Sequence, residues 1–600
     1  MAWASIEEVD RAVAGQTIPR LFLKTVAAHG DAVALRCMDD GGRWKEWTFD
    51  DYRDLVARAA AALRGLGLEA GDKVVMMMRN RPDFHWLDTA AQFLRITPVS
   101  IYNSSSVDEI VYLTTHCEAR AAILEDAGFL EKFSKIRGEI PTLAHIAVMD
   151  SSLATGDVRS LDDLMSTEPL DLEELASQTS PDDLATMIYT SGTTGPAKAV
   201  MLDQHNVVFT VESLRRCITF DTYVGKKVIS YLPMAHIAER MTSHYQQAVL
   251  GFTVTTCPDF SQIATYAREV HPNVLFGVPR VWEKVYAGVN AVLAGDPDRK
   301  AKFDEAIAAA IPIVEKKAWG TATKEELDTW DFLDAVAFST VRGLVGLDEL
   351  DLAVTGAAPM SPEIFAWFRA IGVPLAEVYG MSESSGPMTF TTDRVKAGTV
   401  GQAIPGCEVV IAEDGEVICR GGNVFKGYYK QQDKTDETLI DGWLHSGDIG
   451  TVDEDGYFKI VDRKKELIIT AGGKNISPAN LENALKLVPL IGQACAIGDG
   501  RPFISAVLVL DAEVAPVWAK AQGIDFDSME DLALDPRVIA EVQKGVDEIN
   551  EQFARAESIR KFTLIGEEWL ADSDLLTPTS KLKRRGIHAR YAEQIEAMYR

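Results

Sequence analysis

The chain has 600 residues, 47% of them hydrophobic and 25% charged, which is typical of a globular protein with more than one domain. Its 60 Lys and Arg residues against 89 Asp and Glu residues give a net charge of −29. This charge argues against a general nucleic-acid or anionic-membrane surface, and a bound polyphosphate would need a local cradle of N–H groups, lysine and metal.

The seven cysteines are scattered, odd in number and without a C-x-x-C pair, so we expect neither a disulfide framework nor a zinc site. The N-terminal stretch MAWASIEEVDRAVAG is acidic and has no apolar core, unlike a signal peptide. The chain also lacks a run of about 18 apolar residues that could cross a membrane. We therefore expect a cytoplasmic protein without a transmembrane segment.

Up to about residue 410, amphipathic helices alternate with short apolar runs. The segment DYRDLVARAAAALRGLGLEAGD (51–72) predicts a helix, and KVVMMM (73–78) predicts the buried strand that follows it. This alternation predicts an α/β fold with ligands at the carboxyl ends of the strands. The same strand-then-turn pattern recurs in RAAILE, LATMIYT, KVISYLP, NVLFGVP and DLAVTGAAP.

From about residue 398 the sequence becomes rich in glycine and short β runs, with a predicted turn at Asp414–Gly415. The charged cluster Asp462–Lys465 lies between two β segments and predicts an exposed hinge. We therefore predict a large N-terminal α/β domain (1–461) with a β-rich distal part, a hinge (462–465) and a small mobile α+β domain (466–600).

The stretch YTSGTTGPAKAV (189–200) is suited to holding phosphate. Its glycines let backbone N–H groups turn toward an anion, while three hydroxyls and Lys198 add further donors. It is not a Walker A loop, because Ala197 stands where glycine is needed. Nor is GMSES (380–384) a nucleophile elbow, since Ser384 replaces the last glycine. Taken alone, the stretch could also be a Ser/Thr/Gly surface turn.

YTSGTTG resembles the phosphate-loop signature of the adenylate-forming enzymes, which include acyl-CoA synthetases, nonribosomal peptide adenylation domains and firefly luciferase. Two segments, YLPMAHIAER (231–240) and GVPRVWEKV (277–285), resemble the long-chain fatty acyl-CoA synthetases, the bacterial ones most closely. Other segments resemble the family in the same order over nearly the whole chain. They are TGAAPM (355–360), VYGMSE (378–383), WLHSGDIG (443–450), DRKKELIITAGGKNISP (462–478) and LTPTSKLKRR (576–585).

The resemblance implies an ATP site. The loop would hold the β and γ phosphates, Thr193 and Glu383 would hold Mg²⁺, Tyr379 would stack on adenine and Asp448 would accept from the ribose hydroxyls. Outside this context, Tyr379 would more often be a core residue and Glu383 a solvated charge. The nucleotide-binding residues that the resemblance implies are Ser191, Gly192, Thr193, Thr194, Gly195, Lys198, Gly356, Ala357, Ala358, Glu377, Val378, Tyr379, Gly380, Met381, Ser382, Asp448, Ile460, Arg463 and Lys581.

The resemblance also implies an acyl site. His236 would lie where the carboxylate of the fatty acid enters, and Arg280 and Trp282 would line the mouth of an acyl tunnel, with the aromatic side chain as its gate. The alternatives are a structural histidine at position 236 and simple core packing of Trp282. Chain-length preference is left open, because it depends on tunnel depth.

Near the C-terminus, Lys581 is implied as the adenylation lysine, which neutralises charge as the carboxylate attacks the α-phosphorus. Lys583, two residues on, is the alternative. Gly472 and Gly473 would line the path of the pantetheine of coenzyme A. In the family the small domain rotates about the residue equivalent to Asp462 between the two steps.

The implied reaction is ATP-dependent activation of a long-chain fatty acid through an acyl-adenylate, followed by transfer to coenzyme A. One alternative is a fatty acyl-AMP ligase, or another adenylating enzyme with a different acceptor. A second is a nucleotide-dependent sensor with a degenerate site, given Ala197 and Ala199 in the loop. Ala199 carries a Cβ, so we predict a negative φ there. The resemblance suggests a homodimer, and peripheral membrane contact is left open.

Overall fold

A computed structural model of the chain describes residues 4–39, 41–190, 196–469, 475–555, 557–570, 573–577 and 581–600. In these ranges, helices cover six β-sheets. None of the helices in the described part of the chain combines the length and apolar character that a membrane span requires.

The largest sheet has eight strands and carries the centre of the N-terminal region. Its inner strands pair in parallel, and an antiparallel strand closes each edge. Two of the inner strands, Val274–Gly277 and Leu352–Thr355, are short, fully buried and mostly apolar, as in a sheet covered on both faces. In spatial order the strands are Gly386–Phe390, Leu375–Met381, Leu352–Thr355, Val274–Gly277, Lys227–Ser230, Thr253–Thr256, Val33–Met38 and Trp44–Thr48.

A second sheet of the N-terminal region is entirely parallel. Together, these two sheets confirm the α/β prediction for this part of the chain. The strands of the second sheet are Thr97–Ser100, Lys73–Met77, Ala121–Leu124, His145–Val148 and Val158–Ser160.

The strand LATMIYT departs from this parallel arrangement. Leu184–Thr190 pairs antiparallel with Lys198–Asp203, and Gly427–Tyr428 adds a third strand. The short connection between the first two strands explains their antiparallel pairing. A parallel crossover needs about a dozen residues, and the connection from Thr190 to Lys198 is shorter. The phosphate-loop segment is therefore the connection of a hairpin.

Many helices of the N-terminal region begin at a side-chain cap. The one predicted in 51–72 runs from Phe49 to Gly65 and begins at a capping box between Thr48 and Asp51. Other helices are Ile6–Val13, Ile18–His29, Pro82–Phe93, Val107–His116, Ala127–Ile136, Leu161–Met165, Leu172–Gln178, Gln204–Cys217, Ile237–Glu239 leading into the π-helical turn Arg240–Tyr245, Gln246–Leu250, Ile263–Val270, Pro279–Ala294, Pro297–Ala318, Lys324–Leu333, Ser339–Val345, Pro362–Ala370 and Gln432–Thr438.

The β-rich part that follows is a five-stranded antiparallel sheet. Its first hairpin turns at Asp414–Gly415, where Gly415 has a φ of +86°, so the predicted turn is confirmed. The strands are Cys407–Ile411, Glu416–Gly421, Leu439–Ile440, Trp443–Val452 and Phe458–Arg463.

The last part of the chain has apolar cores of its own, largely separate from those of the preceding residues, although Leu487 packs against both sides. This separation supports the boundary at 462–465, which stays a prediction. At the boundary, Asp462 Oδ2 accepts hydrogen bonds from Ser477 Oγ at 2.6 Å and Ala479 N at 3.1 Å. The elements are the strands Ile468–Ile469, Asn475–Ile476, Ile491–Ile497, Ile504–Leu510 and Ile559–Ile565, and the helices Pro478–Leu485, Val514–Ala521, Met529–Leu534, Pro536–Asn550, Arg584–Arg590 and Ala592–Met598.

Candidate active site

A cavity of about 2170 Å³ lies between the carboxyl ends of the largest sheet, the β-rich part and the C-terminal region. It brings together predicted site residues that are hundreds of positions apart in sequence. Those that line it are Lys198, His236, Ala357, Ala358, Glu377, Val378, Tyr379, Gly380, Met381, Ser382, Glu383, Asp448, Ile460, Arg463 and Lys581.

Some predicted residues cannot be placed. Ser191, Gly192, Thr193, Thr194 and Gly195 of the phosphate loop lie outside the described residues. Gly472 and Gly473 of the predicted pantetheine path also lie outside them.

Three side chains beside the phosphate loop form a continuous contact. Lys198 Nζ lies 3.9 Å from the centre of the Tyr428 ring, and the Tyr428 hydroxyl donates a 2.7 Å hydrogen bond to Glu383 Oε1. Burial lowers the pKa of Lys198, while the nearby charge of Glu383 opposes that shift. The arrangement sets one cation and one carboxylate beside the loop, which suits phosphate and a hard metal ion respectively.

Sequence reasoning missed Tyr428. It reaches the site because Gly427–Tyr428 pairs with the strand that follows the phosphate loop, with Tyr428 opposite Val200. The available signal was the aromatic pair in FKGYY, directly after the Gly-rich segment.

The backbone at two alanines is informative. Ala199 lies in the strand Lys198–Asp203 and is not among the non-glycine residues with positive φ, so its predicted negative φ is confirmed. Ala357, two residues after the strand Leu352–Thr355, has a φ of +69°. A non-glycine residue in this region stores about 1–3 kcal/mol of strain, which tends to occur at functional sites.

Of the predicted site glycines, Gly356 and Gly380 lie in the described residues, and close packing explains both. A Cβ at Gly356 would lie 2.7 Å from Val378 Cγ1, and one at Gly380 would lie 1.9 Å from Gly386 O. Gly380 therefore permits the close approach of the strands Leu375–Met381 and Gly386–Phe390. Gly356 does not line the cavity but lies beneath Val378, which does.

Asp448 is held from two sides. The Tyr379 hydroxyl donates a 2.7 Å hydrogen bond to its Oδ2, and Arg463 Nε lies 3.2 Å from its Oδ1. The register of the two neighbouring strands places Asp448 opposite Arg463. Burial raises the pKa of Asp448, and the charges of Arg463 and Lys581 oppose the rise. Both carboxylate oxygens are thus oriented at the cavity wall.

Lys581 projects from a hairpin in which Leu576 pairs with Leu582. Its own backbone N–H donates to Thr577 Oγ1 at 3.0 Å. Lys581 is exposed to the cleft. Desolvation by the cleft walls, followed by the charge of Arg463, lowers the pKa of Lys581, while Asp448 opposes the shift. Lys581 and Lys583 both line the cavity, and the charges of Arg463, Asp448 and Glu383 act on Lys581. The assignment of Lys581 as the adenylation lysine stays a prediction.

His236 lies in the same cleft and caps the short helix Ile237–Glu239, with Nδ1 accepting from Ala238 N at 3.1 Å. Burial, and then the charge of Lys581, lowers the pKa of His236 to about 4. The imidazole is therefore neutral near pH 7 and acts there as a dipole instead of a cation.

The loop that carries His236 is anchored by a buried cation. Arg240 is fully buried, and its Nε donates to Met234 O at 3.0 Å. Its charge is balanced by Asp88, 2.6 Å away, which also accepts from His244. Because a buried ion pair is costly to break, this anchor fixes the course of the loop.

Arg280 and Trp282 are not among the side chains that line the cavity. Trp282 is 0% exposed, donates from Nε1 to Gly277 O at 3.1 Å and packs against Phe368. Arg280 Nη2 lies 2.9 Å from Asp511 Oδ2 in the C-terminal region. The structure supports core packing for Trp282, and the tunnel role of both residues stays a prediction.

One wall of the cavity is apolar. It is built from one helix, the π-helical turn and three strands of the largest sheet, so no single stretch of sequence marks it. Its residues include Leu214, Ile218, Met241, Phe276, Val354 and Phe390.

Comparisons with known proteins agree with this geometry. Residues 22–429 match the family model of the AMP-binding enzymes, and residues 465–600 match that of the AMP-binding enzyme C-terminal domain. The chain is 34% identical over 568 residues to the long-chain-fatty-acid–CoA ligase FadD15 of Mycobacterium bovis, covering 93% of each chain. It is 32% identical over 619 residues to the long-chain-fatty-acid–CoA ligase ACSBG2 of Xenopus laevis, covering 97% of this chain and 84% of the relative.

Among solved structures, the adenylation domain of a carboxylate reductase from Mycobacterium chelonae is similar with a TM-score of 0.76. It is 20% identical, and the alignment covers 99% of this chain and 93% of that domain, a likeness that shows the fold. A large α/β N-terminal part followed by a small C-terminal part is the architecture in both. The chain belongs to the AMP-binding, adenylate-forming enzyme family.

Proposed function

We propose that this protein is a long-chain fatty acid–CoA ligase. It would join a fatty acid to AMP at the expense of ATP, releasing pyrophosphate, and then transfer the acyl group to coenzyme A, releasing AMP. The observation that carries the proposal is the convergence of Lys581, Asp448, Glu383 and His236 on one cavity with an apolar wall. The names of the matched relatives FadD15 and ACSBG2 support the same activity.

The nucleotide would lie across the strand ends. The ribose hydroxyls would donate to Asp448, whose carboxylate Arg463 and Tyr379 already orient. Adenine would lie against Ala357, Ala358 and the Tyr379 ring, where small side chains leave room for a flat base. The β and γ phosphates would be held by the loop at 191–195 together with Lys198.

Magnesium fits this donor set. Glu383 is a buried carboxylate that lines the cavity and is linked to Lys198 through Tyr428, and Mg²⁺ is commonly bound by one or two carboxylates plus substrate phosphates. Glu383 would hold the ion together with Thr193. When bound, the ion would neutralise phosphate charge.

In the first step, a carboxylate oxygen of the fatty acid forms a bond to the α-phosphorus as the bond to pyrophosphate breaks. Lys581 would stabilise the negative charge that develops, as a donor fixed in the cleft before reaction. A neutral His236 would orient the fatty carboxylate by hydrogen bonding without neutralising it.

In the second step, the coenzyme A thiolate forms a bond to the acyl carbonyl carbon, and AMP leaves. For this step the small domain (466–600) would rotate about the hinge at 462–465 and bring Gly472 and Gly473 to the thiol path. The apolar wall formed by Met241, Phe276 and Phe390, among others, would receive the acyl chain.

The proposal also covers the cellular compartment, the oligomeric state and the membrane contact of the protein. All seven cysteines are free, which suits a reducing compartment such as the cytoplasm. A homodimer is proposed from the family resemblance alone. Peripheral membrane contact is proposed from the poor water solubility of the substrate.

The test is ATP–pyrophosphate exchange with carboxylates from acetate to oleate, with coenzyme A added second. We expect exchange to be strongest with long-chain acids and thioester to appear when coenzyme A is added. Exchange without any thioester would indicate an acyl-AMP ligase with another acceptor. Absence of exchange with every acid would contradict adenylation itself.

A further inference from the structure

The helix Pro279–Ala294 starts directly beyond the strand Val274–Gly277, whose Phe276 lines the cavity. Its first two turns present a basic, an acidic and a basic side chain, and each meets an opposite charge from the C-terminal region. The pairs are Arg280 Nη2 with Asp511 Oδ2 at 2.9 Å, Lys486 Nζ with Glu283 Oε1 at 3.9 Å, and Lys284 Nζ with Glu513 Oε1 at 2.8 Å.

Of the three ion pairs, Arg280–Asp511 is the one whose carboxylate is held in place by further hydrogen bonds. Asp511 Oδ1 accepts hydrogen bonds from Glu513 N and Val514 N, each at 3.0 Å, so its other oxygen is fixed toward Arg280. The Asp511 side chain is only 11% exposed and that of Arg280 33% exposed. Although burial opposes the shift, the hydrogen bond from Arg280 holds the pKa of Asp511 below its ordinary value. A fixed, half-buried pair is less screened by salt than an exposed one.

Asp511 is linked to Lys581 through a strand and a shared apolar cluster of the C-terminal region. It directly follows the strand Ile504–Leu510, the middle strand of its sheet. Val507 and Val509 of that strand belong to the same buried apolar cluster as Leu576, which pairs with Leu582 beside Lys581. Fixing Asp511 against the helix Pro279–Ala294 therefore fixes the body that carries the Lys581 hairpin.

We infer that Arg280, through its ion pair with Asp511, is a positioning residue that keeps Lys581 in the cleft for the adenylation step. The pair must break when the C-terminal region rotates for thioester formation. The inference rests on the proposed function, and it differs from the tunnel role that the family resemblance implies for Arg280. In the tunnel role Arg280 acts on the acyl chain, and Asp511 is irrelevant.

Four variants test the inference: Arg280→Ala, Arg280→Lys, Asp511→Asn and the double variant Arg280→Ala/Asp511→Asn. Asparagine keeps an oxygen that can accept the two backbone N–H groups and removes only the charge. We expect palmitate-dependent exchange to fall roughly fivefold in Arg280→Ala, in Asp511→Asn and equally in the double variant, with partial recovery in Arg280→Lys. Thioester formation from supplied palmitoyl-AMP and coenzyme A should stay within about twofold of wild type.

A matched control is Asp183→Asn. Asp183 pairs with Arg95 at 3.0 Å and also accepts from Ser180 N, but both partners lie in the N-terminal region. This variant should leave both half-reactions unchanged.

The results that would overturn this inference can be told apart from one another. Normal exchange in Asp511→Asn together with a raised palmitate KM in Arg280→Ala would establish the tunnel role and overturn the inference. Equal loss of both half-reactions, or additive losses in the double variant, would also overturn it. If wild type itself showed no exchange with palmitate, the proposed function would fail first, before any variant is compared.

Discussion

The hydroxyl of Tyr428 donates a 2.7 Å hydrogen bond to Oε1 of Glu383, which orients the carboxylate predicted to hold Mg²⁺. Lys198 contacts the ring of the same tyrosine, with its Nζ 3.9 Å from the ring centre. Tyr428 thereby separates the cation from the carboxylate. A direct Lys198–Glu383 ion pair would occupy both charges that the phosphates and the metal ion need.

Tyr428→Phe keeps the ring beneath Lys198 and removes the hydrogen bond to Glu383. Because a hydrogen bond to a charged group is worth about 1.5–3 kcal/mol, we expect the Mg²⁺ concentration that gives half-maximal exchange to rise roughly tenfold. Tyr429→Phe is the matched control, since the Tyr429 hydroxyl donates to Glu118 instead. An unchanged Mg²⁺ dependence in Tyr428→Phe would exclude this orienting role.

Lys581→Ala should abolish exchange while thioester formation from supplied acyl-adenylate and coenzyme A persists. The expected loss in the first half-reaction is about 10²–10³-fold, the usual effect of removing one fixed donor to developing charge. Lys583→Ala should lose far less if the charges of Asp448 and Glu383, which act on Lys581, mark the adenylation lysine. The opposite order of the two variants would reassign the adenylation lysine.

Glu377 predicts a pH dependence. Burial raises the pKa of Glu377 to about 8. The carboxyl group is therefore protonated at pH 7 and becomes negatively charged above about pH 8. The new charge would repel ATP, and we expect the KM for ATP to rise above about pH 8 in wild type but much less in Glu377→Gln. KM measured from pH 6.5 to 9.5 checks this, with the exposed Glu349→Gln as the control.

The raised pKa of Glu377 also makes the stability of the folded protein depend on pH. The folded protein binds the Glu377 proton more tightly than the unfolded chain, so this contribution to the free energy of unfolding decreases as pH rises from about 4.5 to 8. Thermal denaturation of Glu377→Gln should show a smaller decrease over that window. A steeper decrease than in wild type would contradict the raised pKa.

Trp282→Ala should cost about 3–5 kcal/mol of stability, because the side chain is 0% exposed and its loss leaves a cavity. Urea denaturation measures the loss. If Trp282 is a core residue, Trp282→Phe should retain the wild-type preference among acids of different chain length. A changed preference at nearly wild-type stability would instead support the gate role.

Several features could be predicted from local sequence. The apolar runs KVVMMM and DLAVTGAAP mark buried strands, since an interior parallel strand is apolar on both faces. Asp448, Glu383 and Lys581 could be chosen from short motifs and do line one cavity. Arg280 and Trp282 were predicted for the acyl site from their motif, and the structure does not bring them to the cavity wall.

The sequence by itself determined the identity of the charged groups and the strand and turn pattern that carries them, because both depend on neighbours within a few residues. Tertiary structure alone decided that Tyr428 orients Glu383, 45 positions away, and that Arg280 meets Asp511, 231 positions away. It also decided that Trp282 is buried against Phe368. Such contacts depend on the path of the whole chain, which no short stretch of residues encodes.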